Sequence, residues 1–111
     1  MGGDVNGEDD GGLRPLHYAV CAKNLEMIKF LLEHGADINL PSRSLHSPPL
    51  HYAVTVDGCG DLRIVKYLVK HGADVNLRDK EGKTALDLAT GKNLHEIAKY
   101  LKAHGAAGKR K

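Results

Sequence analysis

The chain contains no run of eighteen apolar residues, no closely spaced cysteine pair and no catalytic fingerprint. Without such a run, none of its 111 residues can form an apolar membrane-spanning helix. The opening Met-Gly-Gly-Asp is followed by acids rather than by the basic and apolar regions of a secretion signal, so an intracellular address, cytoplasmic or nuclear, is expected. Cys21 and Cys59 stand in unlike contexts with no Cys-x-x-Cys spacing. They give no disulfide framework and suit a reducing compartment. No Gly-x-Ser-x-Gly, phosphate loop, dinucleotide fingerprint or paired-carboxylate site occurs. Cys59 is the nearest thing to a nucleophile, but Asp57 and Asp61 flank it, and like charge disfavours a thiolate. The chain is therefore expected not to be an enzyme and to need no cofactor.

Charge of a single sign is also scarce, with a net value of +2. The balance hides an asymmetry: residues 1–12 carry four acids and no base, whereas residues 92–111 carry six Lys or Arg against Glu96. Solubilising termini are the plain explanation. The sharper one is that Lys109-Arg110-Lys111 forms part of a nuclear address or touches an anionic surface. Three basic residues with no interleaved aromatics do not make a stacking platform, so nucleic-acid binding is not expected. A 41% hydrophobic and 27% charged composition over this length fits one small globular domain.

What is present is repetition. Pro15-Leu16-His17-Tyr18-Ala19-Val20 returns as Pro49-Leu50-His51-Tyr52-Ala53-Val54 and, degraded, as Ala85-Leu86-Asp87-Leu88-Ala89-Thr90. A second word, His-Gly-Ala, begins at His34, His71 and His104. Two words in constant order at periods of 33 to 37 residues define a tandem array. The unit resembles the ankyrin repeat. That resemblance implies an all-α solenoid of stacked helix-turn-helix units joined by β-hairpin-like loops. The repeats run over approximately 9–41, 42–76 and 79–107, with 108–111 a basic tail.

In the first unit, Asp9 and Gly12 match the hairpin tip, and Gly there permits a tight turn. Pro15 suits the first turn of a short helix ending near Cys21. After a turn near Lys23-Asn24, the stripe Met27, Ile28, Leu31, Leu32 predicts a longer second helix closed by Gly35. Asp37 and Asn39 are expected to hydrogen-bond local backbone in the return loop. The second unit departs twice. Its hairpin is one residue longer, with His46 where Gly is expected and Pro48 where Thr is expected. Its inter-helix turn, Thr55 to Asp61, is three residues longer. The third restores the hairpin at Asp79 to Thr84 but has Ala85 for Pro and Asp87 for His. Lys102 gives its last helix the polar outer face of a terminal repeat. Upstream, Gly3-Asp4-Val5-Asn6 continues the register, so residues 1–8 are expected to be the remnant of a preceding repeat, with a flexible tail as the alternative. On that reading the chain is a fragment of a longer array or has lost a cap. Leu16, Leu50 and Leu86 are equivalent core positions, each worth about 2 to 5 kcal/mol on truncation to Ala.

Seven histidines raise a metal hypothesis, which needs three or four ligands about 2 Å from one point. The family's stacking would hold His34, His71 and His104 roughly 8 to 10 Å apart, so no metal is expected; His46 near Cys59 is the pairing worth checking. The resemblance implies that His17 and His51 bond the backbone of neighbouring turns. It also implies protein binding by the hairpin tips and the exposed side of the first helices. On this chain that strip comprises Asp10, Leu13, Cys21 and Ala22, then Leu45, Ser47, Thr55, Val56 and Asp57, then Lys80, Glu81, Lys83 and Lys92. Tyr18 and Tyr52 are added as aromatic anchors, with a partly buried spacer as the structural alternative. An apolar second share beside a basic third share predicts a partner with an apolar spot next to an acidic one. A monomeric adaptor or scaffold module is the leading expectation, and a stand-alone inhibitor of a kinase or cytoskeletal factor is the alternative. Asn39 and Asn76 resemble targets of asparaginyl hydroxylation, with a structural turn role the alternative.

Overall fold

The computed structural model describes residues 14–42, 46–55 and 60–105. Their regular elements are six helices: α1 Pro15–Cys21, α2 Leu25–Glu33, α3 Pro49–Thr55, α4 Leu62–Lys70, α5 Ala85–Gly91 and α6 His95–Ala103. They pair as α1/α2, α3/α4 and α5/α6, with α3 packed between α1 and α5, and α4 against α6. This is the all-α stack expected from the repeats, and the first helix of each pair begins where its hexapeptide does.

Local chemistry sets the ends. Asn24 accepts the Met27 amide at 3.1 Å, and Asp61 accepts those of Arg63 and Ile64 at 3.0 and 3.4 Å, filling donors that a helix start leaves open. Thr84 and Asp87 form a reciprocal box, each side chain accepting the other's amide at 3.1 and 3.0 Å. Each longer helix ends on His34, His71 or His104, followed by Gly35, Gly72 or Gly105 at φ 97°, 103° and 106°. Such angles are open to glycine without a Cβ penalty.

The stripes meet in one continuous core. Val20, Ile28, Val54, Ile64, Val65, Leu68 and Leu101 are fully buried, and Leu16, Leu50 and Leu86 are nearly so. Each pair is too small to enclose its own apolar face, so burial is completed by the neighbouring pair. The long turn of the second unit rejoins the common geometry at Gly60. Asp61 N–H donates to Ala53 O at 2.9 Å, as Asn24 donates to Ala19 O and Leu94 to Ala89 O. Lys23, Gly60 and Asn93 precede the three second helices at φ 56°, 74° and 60°. Val56 to Cys59 of this turn lie outside the described part of the chain, as do the tip residues 43–45.

Candidate partner-binding surface

The hairpins are closed and locked to the units before them. Asp79 N–H donates to Lys83 O, and Ser42 N–H to Ser47 O, both at 2.9 Å. The second loop spans one residue more, as its sequence requires. Asp79 Oδ1 accepts the amides of Glu81 and Lys83 at 2.9 and 3.0 Å. Ser42, fully buried, takes that place in the second unit, where its Oγ accepts the Ser47 amide at 3.3 Å and pairs with the Tyr52 hydroxyl at 3.0 Å.

His17 Nε2 bonds Ser47 O at 3.1 Å, and His51 Nε2 bonds Lys83 O at 2.8 Å. In His17 the tautomer follows from its partners: Nδ1 accepts the Arg14 amide at 3.1 Å, so Nε2 carries the proton and donates. Burial pushes the His17 pKa down to about 4, with the Arg14 charge acting the same way and the Ser47 bond opposing. Burial also lowers that of His51, against the Lys83 bond and the Asp79 and Asp87 charges. Both rings are therefore neutral fasteners at neutral pH. His51 lacks one partner: its buried Nδ1 has none, because the residue placed to offer an amide is Pro48.

The outer loops are tied as well. Asn39 Oδ1 accepts the Asp74 amide at 2.8 Å, and its Nδ2 reaches Gly72 O at 3.5 Å, while Asn76 Nδ2 donates to Gly105 O at 3.3 Å. This corrects the expectation that Asn39 serves its own loop. The local bond is made by Asp37 Oδ1 to the Asn39 amide, and the Asn39 side chain, displaced by one repeat, faces the next unit.

On this frame the expected contact residues separate. Cys21, Ala22, Lys80, Glu81, Lys83 and Lys92 are exposed, and Tyr18 is 49% exposed. Thr55 is half-buried, with its hydroxyl donated to His51 O at 3.1 Å. Tyr52 is half-buried, edge-on to His17 with centroids 5.0 Å apart, and its hydroxyl is engaged by Ser42. Ser47 is a correction: at 8% exposure it offers no contact surface, because the His17 fastener draws its carbonyl inward and its amide turns to Ser42. Asp10, Leu13, Leu45, Val56 and Asp57 lie outside the described residues, as does Cys59, so the His46–Cys59 pairing lies there too.

The three C-terminal histidines have another use. Each ring stacks on the aromatic residue four back, Phe30, Tyr67 or Tyr100, at 4.0 to 4.1 Å between centroids. Each donates Nδ1–H to that residue's carbonyl at 2.8 to 2.9 Å. Among the described residues no three His, Cys, Asp or Glu side chains come together as metal ligands, and no helix is long and apolar enough to cross a membrane. Partial burial pushes the Cys21 thiol pKa up, which lowers its thiolate fraction.

Stacked helix pairs, fastened to one another at both edges, define a helical repeat array. Residues 40–111 match the family model for ankyrin repeats in three copies, and residues 2–53 match a second model for ankyrin repeats in many copies. The chain belongs to the ankyrin repeat family, whose repeats generally mediate protein–protein interaction. It is 41% identical over 105 residues to an E3 ubiquitin-protein ligase of Drosophila melanogaster, covering 92% of this chain and 4% of that protein. It is 39% identical over 98 residues to the human transient receptor potential cation channel subfamily A member 1, covering 88% and 8%. A palmitoyltransferase of Schizosaccharomyces pombe is 46% identical over 46 residues, covering 41% and 7%. The chain thus spans less than a tenth of the length of each of these relatives.

Proposed function

We propose that the protein is a recognition module of the adaptor or scaffold kind, binding another protein through its hairpin tips and first-helix side chains and performing no reaction. The observation that carries this reading is the division of labour in the hairpins. The backbone at Ser47 and Lys83 is held by a histidine of the neighbouring unit, while the Lys80, Glu81 and Lys83 side chains are exposed. A fixed backbone under exposed side chains lowers the ordering cost of binding. The relatives are consistent with it: proteins named as a ligase, a channel and a transferase each resemble this chain over less than a tenth of their own length, which favours a shared interaction element over any one of those activities.

The third unit's exposed lysines favour an acidic region on the partner, and Leu45 with Val56 supplies the apolar share. A monomer in an intracellular setting suits the free, exposed Cys21 thiol. The test is capture of the partner from native lysate by wild type, Leu45→Asp/Val56→Asp and Lys80→Glu/Lys83→Glu, with melting curves alongside. Both variants should lose the partner, and the Lys80→Glu/Lys83→Glu variant should melt within about 2 °C of wild type, since its two sites are exposed and such substitutions move stability by only about 0.5 kcal/mol each. Retention of the partner by both would remove this strip as the binding surface.

A further inference from the structure

Three register positions behave differently in the first unit from the other two. Met27 is 43% exposed, whereas its equivalents Ile64 and Ile97 are 0% and 5% exposed. Phe30 is 51% exposed, whereas Tyr67 and Tyr100 are half-buried. Tyr18 is 49% exposed, whereas Tyr52 and Leu88 are half-buried. For Tyr67, Tyr100, Tyr52 and Ile97 a contact from the unit before is seen. Lys29 Nζ lies 5.9 Å above the Tyr67 ring, and Lys66 Nζ lies 5.8 Å above that of Tyr100. The His17 and Tyr52 rings meet at a steep angle, with centroids 5.0 Å apart. Ile97 lies so close to Gly60 that a Cβ on the glycine would fall 2.8 Å from Ile97 Cδ1. All three positions therefore belong to one surface, the side of a unit that receives its predecessor.

We propose that the Met27–Phe30 face is a stacking surface for one further helical hairpin of the same repeat type, carried upstream in the same polypeptide. The interface continues the two already present: a turn of that hairpin against Met27 and a lysine over the Phe30 ring. Family similarity begins at residue 2, well ahead of α1, as this arrangement requires. A second copy of this chain is the poorer fit. Stacked head to tail, its last unit would offer Lys99 in the register of Lys29 and Lys66, but it would also present Lys102 where the half-buried Leu32 and Val69 stand in the other two, a charge that a close contact would have to desolvate. A face-to-face contact through Phe30 would supply no lysine to either ring.

The test replaces residues 1–6 with a duplicate of residues 42–76, so that the duplicate's final Asn takes the register of Asn6 and its Lys66 equivalent reaches Phe30. Relative to the 111-residue chain, melting temperature should rise by about 5 to 10 °C and exchange of the α2 amides should slow at least tenfold. Met27→Glu/Phe30→Glu should cancel most of that gain in the extended chain and change the 111-residue chain by less than about 2 °C. A second extension, built by duplicating residues 7–39, guards against a misfolded first one. No gain in either extension, or a double substitution equally harmless in both lengths, overturns the proposal. So does sedimentation of the unextended chain as a dimer that Phe30→Glu dissolves, since the second copy would then be the occupant.

Discussion

In the second unit the hairpin turns through His46 at φ 55°, whereas in the third the same place is held by Gly82 at φ 79°. In the second unit helix α3 begins after Pro48 and leaves the His51 Nδ1 without a donor, whereas in the third Thr84 and Asp87 satisfy each other. Between its helices the second unit threads a longer turn back through Gly60, whereas the third does so with Asn93. The two units share the same pairing of a short helix with a longer one and the same place for each in the stack. They differ in how comfortably their residues occupy it, and the second carries the strain, the orphaned acceptor and the tight passage together. Those are also the hairpin and turn that depart from the repeat pattern in length, so variation in this array is concentrated in one unit while its neighbours keep the regular solution.

The largest expected contrast is at the tight passage. An ideal Cβ on Gly60 would lie 2.5 Å from Val54 O and 2.8 Å from Ile97 Cδ1, and φ there is +74°. Gly60→Ala should cost about 2 to 5 kcal/mol, combining left-handed strain with overpacking against backbone. Asn93→Ala, at the equivalent point of the third unit, should cost about 1 kcal/mol. Urea unfolding of both variants checks the pair, and equal losses would break the comparison.

Acid should come next. The folded-state pKa of His17 lies near 4, below the ordinary 6.5, so the unfolded chain binds a proton that the folded one refuses. Stability is then complete above about pH 6.5 and declines as pH falls toward about 4, by up to about 3 kcal/mol for this ring. His51, shifted the same way, adds to the loss. The third unit's box contains no imidazole, so the first and second units should weaken first. Urea midpoints measured from pH 7.5 to 4.5 should fall for wild type and flatten for His17→Gln/His51→Gln; a parallel fall in both would separate the effect from these rings.

Smaller effects should run in the stabilising direction, and only in the second unit. Pro48→Thr gives His51 the amide that Arg14 gives His17 and adds a capping hydroxyl, for a net gain of about 1 kcal/mol. His46→Gly should gain about 0.5 to 1 kcal/mol by relieving left-handed backbone, whereas Gly82→Ala should lose about 1 kcal/mol for the converse reason. Thermal melts resolve both. A Pro48→Thr chain no more stable than wild type would mean that the orphaned nitrogen costs the fold nothing.

Much of the architecture was legible because repeats write each decision three times. The hexapeptide marked the first helices, the i, i+4 stripes marked the second ones, and the glycines after His34, His71 and His104 marked their ends. The expectation that His46 sits in a glycine's place is met by its positive φ. The candidate surface was less legible. Ser47 reads as a hydroxyl at a loop tip, and nothing nearby in sequence warns that a histidine thirty residues earlier holds it inside. Tyr52 reads as an anchor until Ser42, itself unremarked, is seen to take its hydroxyl. The reach of Asn39 to the next unit and the stacking of each terminal histidine on the aromatic four back were missed for different reasons. The first is a contact across a whole period; the second is an i, i+4 pair whose spacing stands in the sequence but whose stacking depends on how the helix ends.

By itself, then, the sequence determined the repeating helical hairpins, their boundaries and the positions where backbone must turn left-handed. These depend on hydrogen bonds and sterics within a few residues, and each was stated more than once. Tertiary structure alone decided which polar side chains fasten neighbouring units and which side chains, polar or apolar, stay exposed. Those properties depend on what the adjacent unit places opposite a residue, a distance of one period along the chain but a few ångströms in space.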